Sequence, residues 1–352
     1  MLYLRIFLDE GFLTQVGMDK PRRLMFCGGG SRCIVFVQAL VELETAGILT
    51  DVKEYWGTSA GSLLALVLAV GMSPLAIQPV LQGTQFHKFR DMDIRNLLSF
   101  QTTWGLDDGT SLIAELERVL GLLASPHILM KDLPSLHVVV TDVTARETLV
   151  VSGKTHPMVR AVDAVRASMS LPFLYRPYKE PGSGHYWNDG ALRANFAWDL
   201  LPSDEERRRT LGFCFSQTPV TALTLEKYIF SMVHFDEPRK FARLKADWPF
   251  HILWFSHPPF PAWYTRIDAE DLRMLNDAGR TVAHEWMLTQ ASRSRIEESP
   301  PLCAPLHTPP SSSHPDSAIG SSGTPESSAL RWPEYPSPLS SGFGRPSRRW
   351  SV

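Results

Sequence analysis

The chain has 352 residues, of which 44 % are hydrophobic and 20 % are charged. This composition is typical of a globular protein with a sizeable core, and it excludes collagenous, fully disordered and small disulfide-stapled proteins. The 35 Lys and Arg residues against 37 Asp and Glu residues give a formal net charge of -2. Such a balance lacks the basic excess that binds a nucleic-acid backbone, so we expect no nucleic-acid partner.

The cysteines and the apolar segments favour one cellular location for the protein over others. Cys27, Cys33, Cys214 and Cys303 show no CxxC spacing, which predicts neither a disulfide framework nor a zinc site and favours a reducing, intracellular setting. The longest apolar stretch, residues 63–72, is far shorter than the roughly 20 residues of a membrane-spanning helix. Residues 1–22 have no basic segment followed by a cleavage site, so we expect no signal peptide. The predicted location is cytosolic or peripherally membrane-associated.

The first part of the chain alternates predicted strands and helices. Strands are predicted at residues 24–27 and 55–56, and apolar helices at 34–46 and 62–70. Gly47 is expected to end the first helix in the left-handed conformation. An amphipathic helix is predicted over 108–120, starting near the capping residues Asp108 and Thr110.

Residues 75–107 show no clear period, and a lid or an ordinary helical excursion on the surface fits them equally well. Later in the chain, β-branched runs at 137–141 and 148–152 predict a hairpin. The remaining expectations are strands at 185–187, 213–216 and 252–255, a charged surface patch at 204–209 and a long helix at 268–289. Alternation of this kind over about 200 residues predicts an α/β sandwich with a largely parallel sheet.

The composition changes at the end of the chain. Residues 300–352 hold 11 of the 27 prolines and 13 serines. The apolar residues among them are too few to bury enough surface to offset the loss of chain entropy on folding. We therefore predict a disordered Ser/Pro-rich tail over residues 299–352.

The pattern G-x-S-x-G occurs at Gly57-Thr58-Ser59-Ala60-Gly61, between a predicted strand and a predicted buried helix. In a nucleophile elbow, flanking glycines let the backbone pass closely while the serine projects at a helix N-terminus. Five residues alone match ordinary turns as well. The placement between strand and helix favours Ser59 as a nucleophile.

A second glycine-rich segment, Gly28-Gly29-Gly30-Ser31-Arg32, also lies between a predicted strand and a predicted helix. Its exposed N–H groups would suit a phosphate or the oxyanion of an acyl-transfer intermediate, and a plain tight turn is the alternative. The segment lacks the Gly-Lys-Ser/Thr ending of a phosphate-binding loop and the last glycine of a dinucleotide fingerprint, which argues against nucleotide binding.

A serine nucleophile needs a base, and Asp189 in Asn188-Asp189-Gly190-Ala191 is one candidate. The segment could equally be a turn at a strand end. His251, His257 and His284 are alternatives, although none lies in a pattern that marks a catalytic triad. An aspartate that reaches the serine hydroxyl directly can serve as the base.

These segments in this order resemble the patatin-like phospholipase family. The resemblance rests on the loop Gly28 to Arg32, the elbow Gly57 to Gly61, the motif Asp189-Gly190-Ala191 and the block 167–173, ASMSLPF, which is similar to the family's A-S-x-S-x-P segment. It implies a three-layer α/β/α sandwich with a mostly parallel central sheet. It also implies a catalytic domain over residues 23–202, between an N-terminal extension, residues 1–22, and a C-terminal α/β extension packed on that domain, residues 203–298.

The same resemblance implies roles for the residues. Ser59 would be the nucleophile and Asp189 the general base of a Ser-Asp dyad that forms an acyl-enzyme. Gly28, Gly29, Gly30, Ser31 and Arg32 would form the oxyanion hole, Gly57 and Gly61 the elbow, and Gly190 and Ala191 would support the aspartate. No metal or cofactor is implied. The sequence departs from the family at Cys33, where a glycine usually follows the arginine, and this puts the loop geometry in doubt.

The implied function is that of a phospholipase A or lipase-type carboxylic ester hydrolase acting on a lipid or phospholipid, with contact to a membrane or lipid-droplet surface. Trp104, Phe173, Tyr175 and Trp187 flank the motifs and fit either an acyl groove or the core. Residues 1–13 are a further candidate for membrane contact. Two alternatives stay open: a lipid-binding or scaffold protein with weak catalysis, and an acyltransferase that uses the same dyad.

Overall fold

A computed structural model of the chain describes residues 20–83, 98–216, 237–260, 262, 264 and 266–297. The described residues belong to one compact unit. Their strands are β1 (Arg23–Phe26), β2 (Glu54–Thr58), β3 (Gly105–Asp107), β4 (Leu136–Asp142), β5 (Glu147–Ser152), β6 (Phe173–Tyr175), β7 (Tyr178–Lys179), β8 (Tyr186–Asp189), β9 (Thr210–Phe215) and β10 (Ile252–Phe255).

The helices of the same part of the chain are α1 (Val35–Thr45), α2 (Ala60–Ala69), α3 (Pro74–Gly83), α4 (Phe100–Thr103), α5 (Thr110–Leu120), α6 (Ala161–Ser168), α7 (Ala191–Ala194), α8 (Asp204–Arg208), α9 (Glu237–Asp247) and α10 (Ala269–Glu297). Short 3₁₀ helices occupy Gly30–Ile34, Met130–Asp132 and Ala197–Leu200. None of the described helices is long and apolar enough to cross a membrane.

An eight-stranded sheet forms the centre of the molecule, in the order β10-β9-β1-β2-β4-β8-β7, with β5 paired to β4. Strands β10, β9, β1, β2 and β4 run parallel to one another, whereas β5 and β8 pair antiparallel with β4, and β7 pairs antiparallel with β8. Strands β3 and β6 form a separate two-stranded parallel sheet. The predicted mostly parallel sheet is confirmed.

One face of the sheet is covered by α1. The ring of Phe36 on α1 lies 6.3 Å from Phe26 of β1, 5.9 Å from Phe213 of β9 and 4.8 Å from Phe255 of β10, between ring centroids. These aromatic side chains are fully buried. Because strand side chains alternate between faces, the neighbours of Phe213 and Phe255 point to the other side.

The opposite face is covered by the chain after α7 and by α9. A Cβ built on Gly212 would lie 2.6 Å from the ring of Phe196, and Phe241 of α9 packs on Trp254 of β10 at 5.7 Å between ring centroids. Helical segments therefore cover both faces, as the predicted α/β/α sandwich requires.

The register of β4 brings two strand ends together. Val139 pairs with Thr58, the last residue of β2, and Val140 pairs with Asp189, the last residue of β8. Strand β5 occupies the other edge of β4 over its whole length, so β2 and β8 share one edge. They run toward each other, and their carboxyl ends meet there.

Most predicted elements are confirmed with shifted ends. The hairpin is β4 and β5, Gly47 follows α1 with a φ of 71°, and the charged patch at 204–209 is mostly α8. The helix predicted at 34–46 begins as a 3₁₀ turn, and that predicted at 62–70 begins at Ala60. Three predicted features lie outside the described residues. They are the Ser/Pro-rich tail over 299–352, the membrane-contact candidate at 1–13 and, within the candidate lid, residues 84–97.

Candidate active site

Ser59 lies at a sharp turn between β2 and α2, with a φ of 51° and a ψ of -130°. A side chain in this backbone region is strained, and such strain is maintained only where the surroundings hold it. A Cβ on Gly57 would lie 2.4 Å from the carbonyl oxygen of Gly61, and one on Gly61 would lie 2.5 Å from that of Cys27. The two glycines of the motif are therefore required by close backbone approach.

The hydroxyl of Ser59 donates a hydrogen bond to Oδ2 of Asp189 at 2.8 Å. The other carboxylate oxygen, Oδ1, accepts the N–H of Ala191 at 2.9 Å, at the start of α7. Asp189 is only 2 % exposed. The aspartate is thus fixed by a backbone donor on one oxygen and faces Ser59 with the other.

The block 167–173 contacts both Ser59 and Asp189, through Ser168 and Ser170. Ser168 Oγ accepts the N–H of Ser59 at 2.8 Å and donates to the carbonyl oxygen of Val139 at 2.6 Å. The carbonyl oxygen of Ser170 accepts the N–H of Asp189 at 3.0 Å. One segment therefore holds the backbones of both Ser59 and Asp189.

The glycine loop lies directly against Ser59. A Cβ built on Gly28 would be 2.9 Å from Cβ of Ser59. Gly30 has a φ of 59°, and a Cβ there would be 1.9 Å from the carbonyl oxygen of Ala262. The loop can approach the serine because side chains are absent at these positions.

The N–H groups of the loop differ in what they contact. The N–H of Gly28 donates to Oδ1 of Asn195 at 3.0 Å, that of Ser31 to Ala262 O at 2.9 Å, and that of Arg32 to Gly29 O at 3.3 Å. Within the part of the chain that the structure describes, the N–H groups of Gly29 and Gly30 donate to no protein acceptor. Only these two loop donors are available to a bound group.

The side chain of Arg32 links the loop to the chain that follows β10. Its Nε donates to the carbonyl oxygen of Phe260 at 2.8 Å, and Nη1 lies 3.5 Å from Nδ1 of His257. Desolvation and the Arg32 charge lower the pKa of His257 to about 4, so this imidazole is neutral at physiological pH.

Cys33, the departure from the family pattern, lies inside the 3₁₀ helix Gly30–Ile34. A side chain there needs no left-handed backbone, so the residue is accommodated without strain. Its Sγ donates to the carbonyl oxygen of Cys27 at 3.6 Å. Burial raises the pKa of the Cys33 thiol well above its usual value, so the thiol stays protonated.

The other two candidate bases, His251 and His284, contact other parts of the molecule. His251 packs edge-on against Trp248, and Nε2 of His284 lies 3.2 Å from Glu42. In the described residues no group of three or more His, Cys, Asp or Glu side chains is placed to hold a metal ion.

The sequence reasoning missed Asn195 and Ala262 as partners of the loop. Asn195 follows α7 without any motif that marks it, and Ala262 contributes only its backbone oxygen. Of the four aromatic residues that flank the motifs, Tyr175 and Trp187 belong to the core, whereas Trp104 and Phe173 are exposed.

Comparisons with known proteins place the chain in context. The family model described as patatin-like phospholipase matches residues 24–202. The uncharacterized protein R571 of Acanthamoeba polyphaga mimivirus is 28 % identical over 218 residues, which cover 59 % of this chain and 70 % of the relative. The uncharacterized protein YqhO of Bacillus subtilis (strain 168) is 28 % identical over 207 residues, which cover 53 % of this chain and 69 % of the relative.

Among solved structures, VipD from Legionella pneumophila is similar to this chain with a TM-score of 0.54. The sequence identity is 15 %, and the match covers 77 % of this chain and 67 % of VipD. At this identity the similarity shows a shared fold.

Proposed function

The chain belongs to the patatin-like phospholipase family, and on that premise we propose that it hydrolyses carboxylic esters of lipids with a dyad of Ser59 and Asp189. The observation that carries the proposal is the 2.8 Å hydrogen bond from Ser59 Oγ to Asp189 Oδ2. A carboxylate at this distance is within reach of the proton that the serine must lose.

In the proposed reaction, Ser59 Oγ attacks the ester carbonyl carbon while Asp189 Oδ2 takes the hydroxyl proton. The tetrahedral intermediate collapses as the leaving alcohol receives that proton, which leaves an acyl group on Ser59. Water then attacks the acyl carbon and passes a proton to Asp189. Release of the fatty acid returns that proton to Ser59, so no metal or cofactor enters the scheme.

The oxyanion is proposed to bind at the N–H groups of Gly29 and Gly30. Both donors lack a protein acceptor among the described residues and belong to a loop that lies against Ser59. The N-terminus of α2 adds a dipole that favours negative charge at Ser59. We assign Gly28, Ser31 and Arg32 to holding the loop rather than to the oxyanion, because their N–H groups are already bonded.

The proposed substrate is a lipid or phospholipid, as the family description suggests. Such a substrate lies in a membrane or on a lipid droplet, so the enzyme would work as a peripheral protein at that surface.

The test is release of fatty acid from p-nitrophenyl acyl esters and from mixed phospholipid vesicles in the presence of EDTA. Wild-type activity that is lost in both Ser59→Ala and Asp189→Asn supports the dyad. Wild-type activity that survives Ser59→Ala overturns it.

Added glycerol or lysophospholipid shows whether water or an alcohol is the acyl acceptor, because transfer would yield a new ester in place of fatty acid. A folded wild-type protein that turns over none of these esters would instead support a lipid-binding role.

A further inference from the structure

Two aromatic side chains are exposed on strained backbone. Trp104 is 50 % and Phe173 is 55 % exposed, and their φ angles are 57° and 69°. A positive φ is unfavourable for a bulky residue. Neither side chain offsets that cost by burial within the described molecule, which points to a role at the surface.

The two residues share one surface. Gly105, next to Trp104, pairs with Phe173 in the sheet of β3 and β6. The ring of Phe100 lies 6.3 Å from that of Phe173, and the ring of Trp104 lies 5.6 Å from that of Tyr186, between centroids. Leu98, 83 % exposed, precedes Phe100 by two residues. We call this surface the aromatic patch; it comprises Leu98, Phe100, Trp104, Phe173 and Tyr186.

The aromatic patch adjoins the proposed dyad along two chain segments. Phe173 follows Ser170 by three residues, and Ser170 O accepts the N–H of Asp189, so the Cα atoms of Phe173 and Ser170 are at most about 11 Å apart. Tyr186 begins β8, which ends at Asp189, a span of about 10 Å. The patch is thus linked by two short chain segments to Asp189, the hydrogen-bond partner of Ser59.

Positive side chains border the aromatic patch. Nζ of Lys179 lies 5.8 Å from the ring centre of Tyr186. Arg146 belongs to the turn whose Thr144 Oγ1 accepts the N–H of Tyr186. No ion pair engages Lys179 or Arg146 within the described part of the chain.

The neighbouring carboxylates are mostly turned inward. Asp142 contacts His185 and the N–H groups of its own turn, and Glu180 contacts Gly182 and Ser183. Glu147 is exposed in the hairpin that carries Arg146. Around Tyr186, the exposed cations Lys179 and Arg146 therefore outnumber the exposed carboxylate of Glu147, and this side of the patch complements an anionic surface.

We propose that the aromatic patch docks the protein onto an anionic lipid surface, with Trp104 and Phe173 inserted at the interface. This proposal rests on the proposed function, because docking at this place brings Ser59 to lipid esters. Aromatic side chains with a polar tip, such as Trp and Tyr, favour the boundary between headgroups and acyl chains. Cations beside them attract anionic headgroups.

The test is vesicle flotation in a Ser59→Ala background, so that binding is measured without turnover. The probes are phosphatidylcholine vesicles with and without phosphatidylserine. We expect Trp104→Ala/Phe173→Ala to lower the partition coefficient on phosphatidylserine-containing vesicles by at least about tenfold, because both apolar side chains lose their burial in lipid. Lys179→Gln/Arg146→Gln should lower it only on the anionic vesicles.

The matched control is Leu75→Ala/Leu288→Ala, which removes two side chains that are 61 % and 63 % exposed elsewhere and should bind like the parent. Thermal unfolding checks that each variant is folded, and if the double alanine variant is not, Trp104→Gln and Phe173→Gln are tested singly. Flotation of a folded Trp104→Ala/Phe173→Ala variant equal to the parent overturns the proposal.

Concentration-dependent dimerisation that these substitutions abolish would also overturn the proposal, because the patch would then bind a second copy. The outcome for the proposed function is separate: a wild type that binds vesicles but cleaves none of their lipids refutes the hydrolase and leaves the docking surface standing.

Discussion

The backbone N–H of Gly28 donates to Oδ1 of Asn195 at 3.0 Å, and this bond ties the glycine loop to the chain that follows Asp189. Asp189 is itself bonded to Ala191 at the start of the same helical segment, α7. A single segment therefore positions the proposed base and one end of the proposed oxyanion loop. Movement of Asn195 should displace the loop relative to the dyad.

Asn195→Ala removes the Oδ1 acceptor of the Gly28 N–H but keeps the backbone oxygen of residue 195, which accepts the same N–H at 3.3 Å. We expect it to lower kcat by about tenfold with a small change in KM, because misplaced oxyanion donors weaken binding of the transition state rather than of the substrate. Steady-state kinetics on a soluble ester checks this. Asn276→Ala on α10 is the control and should leave kcat unchanged. Equal kinetics for Asn195→Ala and wild type would refute a positioning role.

Gly30 and Gly47 offer a matched pair for the loop. Both have a positive φ, but a Cβ at Gly30 would lie 1.9 Å from Ala262 O, whereas one at Gly47 meets nothing within 4 Å. Gly47→Ala should cost only the backbone strain, about 1 kcal/mol of unfolding free energy. Gly30→Ala adds a clash, so we expect a larger loss together with loss of activity. Chemical denaturation and ester hydrolysis measure the two effects, and similar results for both variants would contradict the close approach.

Ser168 bonds to both Ser59 N–H and Val139 O. Ser168→Ala removes the hydrogen-bond partner of these groups, which should lower the free energy of unfolding by about 1–3 kcal/mol. It should also lower kcat, because the strained backbone of Ser59 loses the hydrogen bond that fixes it. The control is Ser152→Ala. Ser152 is a buried serine at the end of β5, and its hydroxyl is hydrogen-bonded to that of Thr155. We expect it to lose stability but not kcat. A Ser168→Ala enzyme with wild-type kcat would show that the bond serves stability alone.

The pH dependence of stability should reveal Asp142. Burial opposes its ionisation, but the N–H groups of Ala145 and Thr144 and the imidazole of His185 together lower the pKa of Asp142. A carboxylate with a lowered pKa adds stability that is present above its ordinary pKa and is lost as pH falls through the lowered value.

At neutral pH, wild type should exceed Asp142→Asn by about 1–2 kcal/mol in unfolding free energy, and the gap should shrink as the pH falls below the ordinary aspartate pKa of about 3.9. Denaturation at a series of pH values measures the gap. A gap that does not change with pH would refute the charge effect, because the asparagine keeps one acceptor for the turn.

The fold class and the segments of the candidate site could be predicted from the sequence because those features are local. Apolar periodicity marks β1, β2 and α2, and the spacing of Gly57, Ser59 and Gly61 matches what a tight strand-to-helix turn requires. Even the accommodation of Cys33 follows from a local property, the helical backbone of its 3₁₀ turn.

Other features depend on contacts between distant residues. Asn195 contacts Gly28, 167 positions earlier in the chain, and the carbonyl oxygen of Ala262 contacts Ser31, 231 positions earlier. No periodicity encodes these pairs. The small sheet of β3 and β6 was not predicted, because each strand has only three residues and is specified by its partner. Residue type likewise does not decide that Trp104 and Phe173 are exposed while Tyr175 is buried.

The most direct test of the central claim is trapping of the acyl-enzyme. The protein is mixed with a p-nitrophenyl acyl ester in EDTA, quenched, and analysed by peptide mass spectrometry. We predict an acyl group on the peptide that contains Ser59, none in Ser59→Ala, and acylation slowed by at least about a thousandfold in Asp189→Asn, since the asparagine cannot take the proton. Asp142→Asn, at another buried aspartate, should acylate at the wild-type rate. Acylation at a different residue, or an Asp189→Asn variant as fast as wild type, would contradict the account.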